Sequence, residues 1–132
     1  MKDRQTSNTA AYAAAFRALE SVRRPARSRL SEDPFASLFL SPRLRRLVTL
    51  AGLPLFGGCV HAFVDRRWPG AMTSAIARTR LIDDLLLAAL DEGVAEVVIL
   101  GAGFDSRAYR LQEPAPCRVF ELDQPATQAT KK

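Results

Sequence analysis

The sequence is poor in the residues that staple or metallate small proteins. Its 132 residues include two cysteines, one histidine and one tryptophan. Cys59 and Cys117 are too few for a disulfide framework, and their neighbours suit small buried hydrophobes. Cys59, His61 and Asp65 lie close together, but nothing nearby completes a set of ligands at a recognised spacing, so no metal is expected. No apolar run is long enough to span a bilayer. Met1-Lys2-Asp3-Arg4-Gln5-Thr6 is polar, and the alanine-rich stretch behind it carries Arg17 and Glu20, which denies it the compact apolar core of a signal peptide. A cytoplasmic protein with no membrane partner is the expectation. Internal repeats are also lacking.

Acidic charge is scarce in one part of the chain only. Residues 1–80 hold 14 basic and 5 acidic side chains, and residues 81–132 hold 5 and 9. A basic half is compatible with nucleic acid. Here, however, the arginines are spread through helical patterns without interleaved aromatics or any DNA- or RNA-binding motif. They read as a solvated helical surface, and no nucleic-acid partner is expected.

Hydrophobic spacing is what the chain does supply. Residues 1–9 read as a disordered lead-in. Tyr12, Ala15, Phe16 and Leu19 recur at helical spacing, predicting an amphipathic helix from Ala10 to about Val22, ended by Arg23-Arg24-Pro25. Asp33-Pro34 marks a turn, with Phe35, Leu38 and Phe39 available for packing. Ser41-Pro42 is a strong helix start; Leu44, Leu47, Val48 and Ala51 would point inward and Arg43, Arg45 and Arg46 outward. Leu53-Pro54 and Gly57-Gly58 read as a flexible connection. After Trp68-Pro69-Gly70, Thr73 or Ser74 would cap the longest helix. It runs to about Glu92 with Ile82, Leu85, Leu86, Ala89 and Leu90 as its apolar face, and Gly93 closes it.

That helix leads into Val97-Val98-Ile99-Leu100, an all-apolar run that predicts a strand (from about Glu96) buried on both faces, as in a parallel sheet. Gly101-Ala102-Gly103 lets the backbone turn sharply against a ligand. A short helical pattern from Ser106 to about Leu111, a loop at Glu113-Pro114-Ala115-Pro116 and a second strand from Cys117 to Leu122 follow. Another helix begins at Gln124-Pro125. Together these form the opening β-α-β unit of a nucleotide-type α/β fold. Glu121 and Asp123 both point to one side of the second strand, and Asp123, at its very end, is better placed for the crevice at the carboxyl edge of the sheet. A carboxylate there can accept both hydroxyls of an adenosine ribose. The dinucleotide fingerprint is incomplete, because Ser106 occupies the place of its third glycine.

Three segments occur in order at matching spacings: Ala77-Arg78-Thr79-Arg80; Leu100-Gly101-Ala102-Gly103-Phe104-Asp105-Ser106-Arg107 with Tyr109-Arg110-Leu111; and Phe120-Glu121-Leu122-Asp123-Gln124-Pro125. In this combination the chain resembles the leucine carboxyl methyltransferase superfamily, and within it the actinobacterial branch of S-adenosylmethionine-dependent methyltransferases. The resemblance is firm from about Met72 to Lys132 and looser before it. It implies the N-terminal part of a Rossmann-like class I methyltransferase fold. A helical cap or lid region would span residues 1–71, and an incomplete S-adenosylmethionine-binding domain would span 72–132. It further implies that Arg78 holds the cofactor carboxylate, that Gly101 and Gly103 line its methionine part, and that Asp123 binds its ribose. Methyl transfer to an oxygen of a small-molecule or carboxylate acceptor would follow, or less readily to a nitrogen.

From the residues alone, Arg78 and Arg80 also read as surface charges near Asp83 and Asp84. Asp105 could cap the next helix, Arg107 could pair with a nearby acid, and Glu121 could form a salt bridge. No residue stands out as a general base. The resemblance implies further parallel strands after Asp123, so the chain reads as truncated, with weak cofactor binding and no catalysis by itself. One edge of its sheet would be open to self-association. Two other readings compete: half of an NAD(P)-dependent oxidoreductase, and a non-catalytic remnant that works through a partner chain.

Overall fold

The computed structural model describes residues 8–23, 25–111 and 117–131. Residues 1–7 of the lead-in read over 1–9, and the loop at Glu113 to Pro116, lie outside the described residues; Asn8 and Thr9 correct that reading, because they already belong to the first helix. Helix α1 spans Asn8–Val22 and is the hub of the core. Its buried side chains are Ala14, Ala15, Ala18, Leu19 and Glu20. Alanines on that face let neighbouring helices come close. Ala36 and Leu40 pack there, with Val48 and Ala51 of α2 (Pro42–Ala51), Val64 of α3 (Gly57–Arg67), and Met72 and Ile76 of α4 (Ala71–Asp91). Phe104, from the glycine turn, completes the same cluster and stacks on Phe39, 5.1 Å between ring centres. The core is thus shared across the expected boundary at residue 71. Tyr12 corrects the predicted stripe: it is exposed and packs on Trp68, because the smaller alanines take the interior.

The start of α2 is as expected, with Ser41 Oγ accepting the N–H of Leu44 at 3.5 Å and Pro42 in the first turn. The next connection is shorter than expected, a turn over residues 53–56. Gly57 and Gly58 open α3, and a Cβ on Gly57 would lie 2.6 Å from the carbonyl oxygen of Ala51. Glycine stands there because two helix ends touch, which local sequence does not reveal. Nor do Thr73 and Ser74 cap α4. The helix starts earlier, at Ala71, behind Gly70 in the left-handed region at φ 71°. Cys59 is exposed and Cys117 half-buried, against the expectation that both lie inside.

Strand β1 (Glu96–Leu100) pairs in parallel with β2 (Arg118–Leu122), Val98 opposite Phe120 and Leu100 opposite Leu122. Pairing continues into the turn through the N–H of Ala102 and the carbonyl of Leu122, at 3.1 Å. The expectation of a strand buried on both faces is corrected. Val97 and Ile99 face Leu86 and Leu90 of α4 and Ala108 of α5 (Arg107–Arg110). On the opposite face Val98 and Leu100 are 58% and 76% exposed, beside exposed Phe120 and Leu122. The described elements cover one face of the sheet only. Of the predicted apolar face of α4, Leu90 is buried and Leu86 and Ala89 are half-buried, whereas Ile82 and Leu85 are exposed, Ile82 along the cleft described below. Helix α6 (Pro125–Lys131) follows β2.

Candidate functional site

The carboxyl ends of β1 and β2 open into a cleft of about 850 Å³. Thr9, Ala13 and Arg17 of α1 form one wall, Ala75, Arg78 and Ile82 of α4 another, and the turn from Gly101 to Asp105 with Asp123 the floor. All four residues singled out by sequence, Arg78, Gly101, Gly103 and Asp123, therefore meet in one place.

Each has a geometry that the local chemistry explains. Gly101 and Gly103 have φ of 64° and 52°, a region that costs an L side chain about 1–2 kcal/mol. A Cβ on Gly101 would meet nothing within 4 Å, whereas one on Gly103 would lie 3.2 Å from Cβ of Ala10. The floor is tied by Asp123: its Oδ2 accepts the N–H of Gly103, and its Oδ1 that of Gln124 at 2.5 Å. A carboxylate oxygen accepts more than one hydrogen bond, so both retain capacity for a ligand. Arg78 is exposed and has no hydrogen-bond or ion-pair partner among the described residues. Arg80, two positions along, is engaged instead: its Nε lies 2.9 Å from both carboxylate oxygens of Asp84.

The remaining motif residues do structural work. Arg107 Nε donates to Asp83 at 2.7 Å, and the same guanidinium pairs with Asp105. Arg110 reaches Asp83 at 2.7 Å. Asp105 also accepts the N–H of Arg107 at 2.8 Å in a local turn; the residue at the helix start is Ser106, which makes no capping bond with its side chain, so the expected cap by Asp105 is corrected. These pairs lash α5 to α4 beneath the cleft. Glu121 is outside the lining and binds Lys131 at 2.6 Å.

Sequence reasoning missed Asp33 and Arg17. Asp33 is buried and accepts from Arg17 Nε at 2.8 Å and Ser106 Oγ at 2.6 Å. Burial alone would raise its pKa; the hydrogen bonds from Ser106 and Arg17 and the charges of Arg17 and Arg110 outweigh it and hold the carboxyl below its ordinary value. No local pattern marks such a group, since Ser106 lies 73 residues downstream. The imagined metal trio is not assembled: the described residues contain no group of three or more His, Cys, Asp or Glu able to hold an ion. His61 is half-buried, with Nε2 unpartnered; burial, then the charge of Arg23, lowers its pKa.

The leucine carboxyl methyltransferase family profile matches residues 10–132. The chain belongs to the leucine carboxyl methyltransferase family. Relatives in this family include a Rhodococcus jostii protein, 42% identical over 120 residues, which is 89% of this chain and 36% of that one. A Frankia alni protein is 42% identical over 118 residues (89% and 38%), and one from Mycobacterium marinum 37% over 129 (92% and 38%). All three names describe them, provisionally, as S-adenosyl-L-methionine-dependent methyltransferases. The chain spans little more than a third of the length of these curated relatives. No helix among the described residues is long and apolar enough to cross a membrane.

Proposed function

We propose that the cleft binds S-adenosylmethionine and that the chain is the cofactor-binding portion of an O-methyltransferase. The observation that supports this reading is Arg78: a guanidinium without a partner among the described residues, on the wall of a cleft whose floor is two positive-φ glycines and a carboxylate. S-adenosylmethionine brings complementary chemistry, an α-carboxylate at one end and a ribose diol at the other. Arg78 would hold the carboxylate through paired charge-assisted bonds. Asp123 would accept the ribose hydroxyls, and the Cβ-less backbone at Gly101 would leave room for the methionine chain. When bound, the cofactor supplies a methyl group on a cationic sulfonium. The protein's part is to hold donor and acceptor in line and keep water from between them. The acceptor we assign is a small molecule attacking through oxygen, in keeping with the family.

An oxidoreductase reading has less support. Ser106 stands where the third glycine of a dinucleotide fingerprint would be, and its buried hydroxyl is committed to Asp33. A thermal-shift comparison separates the two. S-adenosylmethionine should raise the melting temperature and NADH should not. Protection by NADH alone would reverse the assignment.

A further inference from the structure

The helical N-terminal region reaches the glycine turn through a buried polar junction. Asp33 Oδ1 accepts the N–H groups of Phe35 and Ala36, each at 3.0 Å. Its Oδ2 accepts from Arg17 Nε and from Ser106 Oγ, so four donors satisfy one fully buried carboxylate. Arg17 does not stop there: its Nη2 donates to the carbonyl of Phe104, 87 positions along the chain, in a short bond. Ser106 Oγ in turn accepts from Arg110 Nε at 3.1 Å. Phe104 and Ser106 flank Asp105 just after Gly103, so Asp33 and Arg17 grip the exit of the turn at two points.

We infer that Asp33, acting through Ser106 and Arg17, is a positioning residue that fixes the glycine turn for cofactor binding. The inference rests on the reading of the cleft as an S-adenosylmethionine site. Gly101 and Gly103 carry no side chains that could pack the turn into one shape, and glycine has the widest backbone freedom of any residue. Beside the buried Phe104 ring and the backbone bonds of Ala102 to Leu122 and Asp105, the turn is held by side chains from other elements. Asp123 ties its floor at Gly103, and the Asp33–Arg17 pair ties its exit. Ser106 is a serine here because the position works as an anchor: its hydroxyl bridges Asp33 and Arg110. Restoring the third glycine of the dinucleotide fingerprint with Ser106→Gly should thus weaken the site.

The test uses the full chain and three variants, Asp33→Asn, Ser106→Ala and Ser106→Gly. S-adenosylmethionine affinity is measured by calorimetry, and amide hydrogen exchange is measured without ligand, at a temperature where all four proteins are folded. The inference predicts faster exchange confined to Gly101–Asp105, unchanged protection at Leu19 and Ile76, and about tenfold weaker binding, the loss expected for a hydrogen bond to a charged group. Exchange that rises throughout the core, with affinity unchanged, would make Asp33 a purely structural residue and overturn the inference. So would faster exchange in the turn with affinity intact. Failure of the unaltered chain to bind refutes the reading of the cleft itself, a result distinct from binding that survives these substitutions.

Discussion

Replacing the two turn glycines with alanine, one at a time, separates backbone strain from crowding. At Gly101, φ is 64° and an added Cβ would meet nothing within 4 Å, so Gly101→Ala should cost only the left-handed backbone penalty, about 1–2 kcal/mol. At Gly103 the same penalty applies at φ 52°, and the methyl would sit 3.2 Å from Cβ of Ala10. The start of α1 must then give by a few tenths of an ångström, adding about 1 kcal/mol. Unfolding entropy scales with chain length, and for this chain 1 kcal/mol corresponds to about 4 °C. Gly101→Ala should therefore lower the melting temperature by about 4–7 °C, and Gly103→Ala by about 4 °C more. Binding should respond differently. The methyl at Gly101 enters the space we assign to the methionine chain, so this variant should lose more S-adenosylmethionine affinity than its stability loss accounts for. Scanning calorimetry and titration on the two proteins provide the measurement. A Gly101→Ala chain as stable as the original, or more damaged than Gly103→Ala, would refute the strain argument, and unchanged affinity would refute the placement of the cofactor over Gly101.

Asp83→Ala should cost about 3 kcal/mol in urea denaturation, because it takes the shared carboxylate from two guanidinia that are only 12% and 8% exposed, leaving Arg107 to Asp105 and Arg110 to the Ser106 hydroxyl. Arg80→Ala, which removes an exposed pair with Asp84, should leave both melting temperature and cofactor affinity unchanged in the same assays. The pH dependence of stability follows from two lowered pKa values. Asp33 is lowered below 3.8 by folding, so its contribution is present above that pH and is lost as pH falls through the folded value; Asp33→Asn should flatten this acid limb. His61 is lowered below 6.5, so the neutral ring favours the fold, and stability should fall as pH drops below about 6.5 unless His61 is replaced by Gln.

The parts of the fold that were legible in sequence are those written locally. Ser41-Pro42 announces α2, the apolar run before Gly101 announces β1, and the two strands with their turn announce a β-α-β unit. The candidate site was legible because glycine spacing and a strand-end acid are also local signals, and the structure brings Arg78 to them from α4. What escaped depends on distant partners. Gly57 reads as part of a flexible connection, yet its place is set by the carbonyl of Ala51. Asp33 looked like a turn residue, yet it carries the buried junction to Ser106. The double-faced burial predicted for Val97 to Leu100 follows from composition alone. Among the described residues only the Val97 and Ile99 side of β1 has helices against it.

The account turns on the guanidinium of Arg78, which has no partner among the described residues, and titration calorimetry of S-adenosylmethionine into the unaltered chain and into Arg78→Ala tests it most directly. A hydrogen-bonded charge pair of this kind contributes about 1.5–3 kcal/mol, so the variant should bind on the order of 10- to 100-fold more weakly, with its melting temperature unchanged. Equal affinity in the two proteins would contradict the account.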